Sequence, residues 1–192
     1  MHLVVGLGNP GPDYVGNRHN IGFRIVDALA ERAGASPFKS KFNADWVRAT
    51  IDGSDVVLLK PMTYMNRSGE SVQAASRFFK TQVDEMLCIH DELDLLFGDV
   101  RLKNGGGIAG HNGLRSLVSQ LGTPDFARLR FGIGRPPKGP VDRYVLSNFN
   151  ELERASEPDL IDRSCAMVQS FLRDGIVSAM NAHHGGAPPK MR

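Results

Sequence analysis

The chain has 192 residues, 41% of them hydrophobic, and its 23 lysines and arginines against 21 aspartates and glutamates give a formal net charge of +2. This length and apolar content can form a buried core, and the length favours one domain over two. The small net charge excludes a surface coated in positive charge for general nucleic-acid binding, although it is compatible with a local basic patch.

The sequence also bears on the compartment in which the protein works. Cys88 and Cys165 both lie among apolar residues, so we expect two buried free thiols in a reducing compartment. No stretch approaches the length of a membrane span, and the N-terminus lacks the pattern of a secretory signal. The prediction is a cytoplasmic protein that does not engage membranes.

The first predicted elements are a strand and a helix. The apolar run 3–5 stops at Gly6 and predicts a strand. Apolar residues then recur at helical spacing from Ile21 to Ala33, and Gly34 is placed to end that helix.

A hairpin and a second helix are predicted next. Residues 45–51 and 55–60 flank the turn sequence Asp52-Gly53-Ser54, which is typical of a tight connection between antiparallel strands. A stripe at helical spacing follows, formed by Val72, Ala75, Phe78 and Phe79.

Three strands and a helix are predicted in the middle of the chain. The strands are a buried one at 86–90, a shorter one at 100–103 and a third at 129–134. The helix between the last two ends at Gly122, and its apolar face consists of Leu114, Leu117, Val118 and Leu121.

The last predicted helix is amphipathic. Asn150 and Glu153 have the spacing of a capping box, and Pro158 suits a first helical turn. The segment 183–192 lacks apolar anchors, so we expect a domain over 1–182 and a mobile C-terminal tail. Because strands and helices alternate, the predicted fold class is α/β.

Two glycine-rich segments resemble nucleotide-binding motifs. Gly6, Gly8 and Gly11 match the dinucleotide fingerprint as a string, but the prolines that follow delay the helix that must meet the pyrophosphate. Gly105 and Gly110 have P-loop spacing, yet His111-Asn112 stands where Lys and Ser or Thr would hold phosphate and magnesium. The first match is weak, and the second argues against an NTPase.

His19 and Asp91 suggest general-base chemistry when taken as a pair. A carboxylate bonded to one ring nitrogen fixes the tautomer, so the other nitrogen can deprotonate a water. No serine occupies a nucleophile elbow and neither cysteine lies in a polar loop, which favours direct attack by water. A metal site is the alternative, but the spacing of His19, His90 and His111 matches no zinc signature, so we expect no metal or other cofactor.

The chain resembles the bacterial-type peptidyl-tRNA hydrolases in segments that recur in the family's order from residue 3 to about residue 150. These segments are Val5 to Gly11, Tyr14 with Arg18-His19-Asn20, Lys60-Pro61 with Thr63 to Gly69, His90 to Leu95, Gly105 to Leu114 and Arg128 to Pro136. The resemblance implies a monomer with a twisted mixed sheet flanked by helices, and hydrolysis of the ester between a peptide and the 3′ ribose of tRNA.

The resemblance also implies roles for individual residues. His19 would be the base, Asp91 its partner, and Asn9 the residue that tells blocked from free aminoacyl groups. Asn66 and Asn112 would surround the peptide end and the attacking water. Tyr14, Tyr64 and Met65 would line the groove for the terminal nucleotide and peptide, with His111 at its flank. Lys103 and Arg130 would clamp the 5′ phosphate of the tRNA acceptor arm.

Two other functions stay open at this stage. One is a non-catalytic module that binds tRNA or another structured RNA, and the other is an esterase for small molecules. The chain also departs from the family's pattern at Met62, where a polar residue is common, and in the Ile108-Ala109 part of the glycine loop.

Overall fold

Seven strands form one mixed sheet in the computed structural model, which describes residues 1–184. The strands are β1 His2–Gly6, β2 Lys39–Lys41, β3 Ala44–Ile51, β4 Ser54–Pro61, β5 Met86–Glu92, β6 Val100–Asn104 and β7 Ala127–Gly132. Their order is β2-β3-β4-β1-β5-β7-β6. The four central strands β4, β1, β5 and β7 are parallel, whereas β2, β3 and β6 add antiparallel pairs at the two edges. The expected α/β fold with a mixed sheet is confirmed.

Helices cover both faces of this sheet. They are α1 Ile21–Arg32, α2 Ser68–Phe79, α3 Asn112–Leu121, α4 Val141–Val145 and α5 Glu151–His184. Residues of α1 and α5 share one core with alternate strand residues, and α2 and α3 share the other. Every residue of β5 is buried because that central strand is covered on both sides, which explains its continuous apolar start. None of the helices within 1–184 is long and apolar enough to cross a membrane.

Local turn chemistry sets several element boundaries as expected. The β3–β4 hairpin turns at Asp52 and Gly53, whose φ angles of 48° and 81° are those of the tight turn that matches strand twist. Gly122 ends α3 with a φ of 77°. The capping box of α5 is also present, since Asn150 and Glu153 exchange side-chain to backbone bonds of 2.8 and 2.9 Å.

Two local predictions were wrong. Pro158 is the eighth residue of α5 and not part of its first turn; it is exposed, so water can reach the Arg154 carbonyl that its missing N–H would have bonded. The strand predicted at 129–134 is Ala127–Gly132, because Ala127 already pairs with Asn104 and Leu87. The stripe formed by Val72, Ala75, Phe78 and Phe79 lies on helix α2 as predicted, and the exposed Phe78 has its ring 5.2 Å from that of Phe42.

The sequence patterns also missed some elements. The polar edge strand β2 and the five-residue α4 are too short to show periodicity. Helix α5 is interrupted at Gly175, which has φ 77° and ψ 171°, and then continues to His184. The predicted tail boundary at residue 183 therefore falls inside α5, and residues 185–192 of that tail lie outside the described residues.

Candidate active site

The polar segments that follow β1 and β4, and the end of β5, lie together at the carboxyl ends of the parallel strands. Strands β1, β4 and β5 are parallel neighbours, so their carboxyl ends lie side by side. Asn9 follows β1, Met65 follows β4, and Asp91 is the penultimate residue of β5. Open α/β sheets characteristically place their ligands at this edge.

His19 and Asp91 form a buried pair. His19 belongs to the 3-10 helix Arg18–Asn20 that leads into α1, and its Nδ1 lies 2.8 Å from Oδ1 of Asp91. The two side chains are 11% and 2% exposed. A carboxylate in this position accepts a hydrogen bond from the Nδ1–H group, which leaves Nε2 of His19 unprotonated and able to act as the base.

The pKa values of this pair follow from the same contact. Burial lowers the pKa of His19, but the Asp91 carboxylate and its hydrogen bond outweigh burial, with a smaller contribution from Asp142, so the net shift is upward. Burial would raise the pKa of Asp91, yet His19 and His111 together hold it well below its usual range. Asp91 is therefore an ionised carboxylate throughout the working pH range.

His111 is a second partner of Asp91. It is the N-cap of α3, where its Nδ1 accepts the backbone N–H groups of Gly113 at 3.1 Å and Leu114 at 3.3 Å. An imidazole that accepts at Nδ1 carries its proton on Nε2, which lies 3.0 Å from Oδ1 of Asp91. The helix cap thus fixes the tautomer in which His111 donates to the carboxylate.

The same three side chains bear on whether a metal could bind. Ligand atoms of His19, Asp91 and His111 lie within 4.8 Å of one another, which is compact enough for a shared ion. Nδ1 of His111 is occupied as the cap acceptor, so Nε2 would have to lose its remaining proton to bind a cation. The donor set suits a hydrogen-bonded cluster better than a metal centre.

Asn9 is held by contacts along its backbone and its side chain. Its N–H donates to Oδ1 of Asn20 at 3.0 Å, and its carbonyl accepts from Nδ2 of Asn20 at 2.9 Å. Its own Oδ1 accepts the backbone N–H of Met65 at 2.8 Å. With the carboxamide oxygen committed, Nδ2 is left as a donor that forms no hydrogen bond within residues 1–184. Asn20 had no predicted role, and only its adjacency to His19 could have suggested one.

The other residues predicted to contact the substrate differ in their exposure and in whether they line the cleft that contains His19 and Asp91. The rings of Tyr14 and Tyr64 meet edge to face at a centroid distance of 6.4 Å, and Tyr64 is 60% exposed. Met65 is buried, whereas Asn66 is exposed. Asn112 lines a cleft together with His19, Asp91 and His111, and its Oδ1 accepts from Arg115. Asn66 is not among the lining residues of that cleft, and neither are Asn9, Tyr14, Tyr64 and Met65.

Lys103 and Arg130 lie on the same face of adjacent strands. Arg130 is directly opposite Arg101, and Lys103 is opposite Arg128, so the two predicted clamp residues are diagonal neighbours. Nε of Arg130 donates to Oε2 of Glu92 at 3.0 Å. Arg128 is buried, whereas Arg101, Lys103 and Arg130 reach the surface of this sheet face. Within the described residues, only Arg130 of these three is paired with a carboxylate, so they form a local positive surface.

The sequence analysis did not predict the contacts between the segment that contains His19 and residues near the C-terminal helix. Arg18, 5% exposed, donates to the carbonyl of Asn148 and to Glu153, both at 2.6 Å, and its guanidinium lies 4.3 Å from the centre of the Tyr144 ring. Asp142 lines the cleft from α4. These contacts are between residues more than 120 positions apart, so local sequence patterns do not predict them.

Taken together, the cluster has the groups that water-mediated hydrolysis requires. It combines a buried imidazole, an ionised carboxylate that orients it, a free carboxamide donor and an open cleft. A covalent nucleophile is not provided by the thiols, because burial raises the pKa of Cys88 to about 12 and that of Cys165 to about 11.

Comparison with known proteins identifies the relatives of this fold and site. A sequence profile of the family described as peptidyl-tRNA hydrolase matches residues 3–191. The peptidyl-tRNA hydrolase of Sorangium cellulosum is 52% identical over 100% of this chain and 87% of its own length, and that of Frankia casuarinae is 48% identical over 95% and 93%. The crystal structure of the Acinetobacter baumannii peptidyl-tRNA hydrolase superposes with a TM-score of 0.91 at 42% identity, covering 98% of this chain and 96% of that one. The chain belongs to the peptidyl-tRNA hydrolase family.

Proposed function

We propose that this protein hydrolyses the ester bond between a peptide and the 3′ ribose of tRNA, releasing the peptide and a free tRNA for reuse in translation. Family membership over nearly the whole chain supports this activity. The observation that carries the mechanism is the buried His19–Asp91 pair, whose Nδ1 to Oδ1 distance is 2.8 Å.

In the proposed mechanism, Nε2 of His19 removes a proton from a water that attacks the ester carbonyl. Asp91 holds the tautomer and stabilises the imidazolium that forms, and His111 keeps Asp91 in place. Nδ2 of Asn9, with Asn66 and Asn112, supplies donors for the peptide end and the oxyanion. General-base catalysis contributes roughly a hundred- to ten-thousandfold, and a preorganised oxyanion donor contributes about a hundred- to a thousandfold.

The tRNA acceptor arm is the second part of the proposed substrate. Lys103 and Arg130 would bind its 5′ phosphate on the sheet face described above, and Tyr14, Tyr64 and Met65 would contact the terminal nucleotide and the first peptide residue. Acyl specificity should be broad, since peptides of any sequence must be accepted. Contacts would therefore concentrate on the peptide backbone and the RNA.

Two rival functions are weaker on the same evidence. A non-catalytic RNA-binding module has no use for a buried imidazole oriented by a carboxylate, and leaving ionisable groups buried has a cost in stability. An esterase for small molecules would not need the positive surface around Lys103 and Arg130, and it would act on esters that lack RNA.

We further propose that the protein works as a monomer in the cytoplasm. The two buried free thiols fit a reducing compartment. Light scattering coupled to size-exclusion chromatography tests the oligomeric state, and a mass near 21.0 kDa is the expected result.

The test of the proposed function is release of peptide from a purified peptidyl-tRNA, with and without a chelator. We expect release in both cases, because the reaction is assigned to side chains and backbone amides. Inactivation that added zinc or magnesium reverses would contradict a metal-free mechanism. Binding of the substrate without any release would favour the RNA-binding module, and equal turnover of esters lacking RNA would favour the esterase.

A further inference from the structure

The glycine loop between β6 and α3 has little conformational preference of its own, so contacts with residues outside the loop are needed to order it. Residues 105–110 contain four glycines, and Gly105, Gly106, Ala109 and Gly110 all have positive φ angles. Such residues lose more conformational freedom on ordering than others do. The loop nevertheless delivers His111 to a hydrogen bond with Asp91.

Arg128 lies beneath this loop and supplies the restraint. Its side chain is 1% exposed. Nη1 donates to the carbonyl of Gly107 at 2.6 Å, and Nη2 donates to the carbonyls of Gly106 at 2.8 Å and Pro124 at 3.1 Å. No carboxylate within residues 1–184 forms an ion pair with it.

A buried cation without a carboxylate partner is unfavourable, so its retention calls for an explanation. Burial lowers the pKa of Arg128, although a guanidinium keeps its charge in proteins. Three carbonyl acceptors replace part of the missing hydration, and the planar fork can reach two consecutive peptide groups at once. A lysine would have one nitrogen for the same acceptors.

We infer that Arg128 is a positioning residue for hydrolysis: by fixing Gly106 and Gly107, it sets the glycine loop so that His111 caps α3 and bonds Asp91. Lys103 is linked to the same loop, because a methyl group on Gly106 would lie 2.7 Å from its Nζ. The loop thus joins the proposed phosphate site to the carboxylate that orients His19. The inference rests on the proposed function for its kinetic readout only.

The experiment is a double-mutant cycle between Arg128 and His111. The variants are Arg128→Met, His111→Asn and their combination, assayed on a blocked aminoacyl ester of a short 3′ RNA fragment that has no 5′ phosphate. Arg77→Met is the control, since it also replaces an arginine by methionine, but Arg77 is exposed on α2 and has no hydrogen bond to the loop. Asn at position 111 can still cap the helix but cannot reach Asp91 as imidazole does.

We expect Arg128→Met to lower kcat about ten- to a hundredfold, the size of effect that misplacement of a catalytic group produces. The same substitution made in the His111→Asn protein should lower kcat less than about threefold, because coupled residues are not additive. Arg77→Met should leave kcat unchanged. Full loss in both backgrounds, or no loss in either, would overturn the inference.

Hydrogen exchange on the full chain gives a readout that does not depend on activity. Amides of residues 105–111 should exchange faster in Arg128→Met while those of β5 keep their protection. Unchanged loop exchange would overturn the positioning role even if the protein hydrolyses peptidyl-tRNA. If Arg128→Met fails to fold, Arg128→Lys replaces it, and we expect the same pattern because charge alone cannot serve both carbonyl groups. If the parent protein itself does not hydrolyse peptidyl-tRNA, that result contradicts the proposed function and not the positioning role of Arg128.

Discussion

Nε2 of His111 lies 3.0 Å from the Asp91 oxygen that also accepts from His19. The first contact comes from the N-cap of α3 and the second from the 3-10 helix that leads into α1, and these two α-helices pack on opposite faces of the sheet. The Asp91 carboxylate therefore accepts hydrogen bonds from two segments that approach the site from opposite faces of the sheet. Its two hydrogen-bond donors keep it ionised and keep it from rotating, which is the condition for a base that must be aimed at a water.

Replacing His19 removes the proposed base. We expect His19→Ala and His19→Asn each to lower kcat at least a hundredfold, since general-base catalysis is worth that much or more. The asparagine variant can still donate to Asp91, so it separates loss of the base from loss of the buried contact. Single-turnover kinetics and tRNA binding check this. Retention of more than about a tenth of kcat would contradict the assignment.

Neutralising Asp91 should change the pH dependence. Asp91 raises the pKa of His19, so Asp91→Asn should move the acid limb of the kcat/KM profile to lower pH while reducing kcat less than loss of His19 does. Asp142→Asn is the matched comparison, because its charge acts on the same imidazole without a hydrogen bond, and we expect a smaller shift in the same direction. If Asp91→Asn leaves the pH profile unchanged, Asp91 is not the partner that raises the pKa of His19.

Asn9 offers a test that separates its two side-chain atoms. Asn9→Asp keeps the oxygen that accepts the N–H of Met65 but loses the Nδ2 donor, whereas Asn9→Ala loses both. We expect both variants to lose hydrolysis of the blocked ester or discrimination against free aminoacyl-tRNA. The alanine variant should also lose about 1 kcal/mol of stability, because the N–H of Met65 loses its acceptor. Normal kinetics on both substrates with reduced stability would make Asn9 a structural turn residue.

Removal of Lys103 and Arg130 should weaken tRNA binding and reduce its dependence on salt. Because these two side chains would no longer neutralise phosphate charge, the slope of log affinity against log salt should become shallower by about 1.4 to 1.8. Arg77→Met, a charge change at an exposed site on α2, controls for net charge. Cleavage of the 3′ fragment without a 5′ phosphate should be almost unaffected. Equal reductions in activity on full tRNA and on the fragment would contradict the clamp.

His90 should make the fold sensitive to acid. Burial lowers the pKa of His90 to about 3, and its Nδ1 donates to the carbonyl of Asp91 at 2.7 Å. The unfolded chain binds a proton at this residue near pH 6.5 and the folded chain does not, so its stabilising contribution is complete above that pH and is lost as the pH falls towards 3.

Between pH 7 and pH 5 this linkage amounts to about 2 kcal/mol of unfolding free energy. His90→Asn retains a donor for the Asp91 carbonyl but does not titrate. Urea unfolding at the two pH values should therefore show a loss of stability on acidification that is smaller in the variant by about that amount. Identical decreases in parent and variant would show that His90 is not held neutral.

Local chemistry made much of the fold predictable from the sequence. The run Leu3-Val4-Val5 and the apolar start of β5 at Met86 predict strands because β-branched and apolar residues at short spacing favour burial in a sheet. Gly122 and the turn at Asp52-Gly53 define ends because few residues adopt positive φ without strain. The family motifs named the site residues for the same reason: each lies in a short segment with a distinctive residue order.

Tertiary structure alone decided how these residues act on one another. Three contacts that were not predicted show this: His111 donates to Asp91, Asn9 pairs with Asn20, and Arg128 lies under the glycine loop. Such contacts depend on strand order and on which sheet face a helix covers, and periodicity does not specify either. Pro158 shows the converse, because a residue that favours a helix start is tolerated inside α5 once its turn faces water.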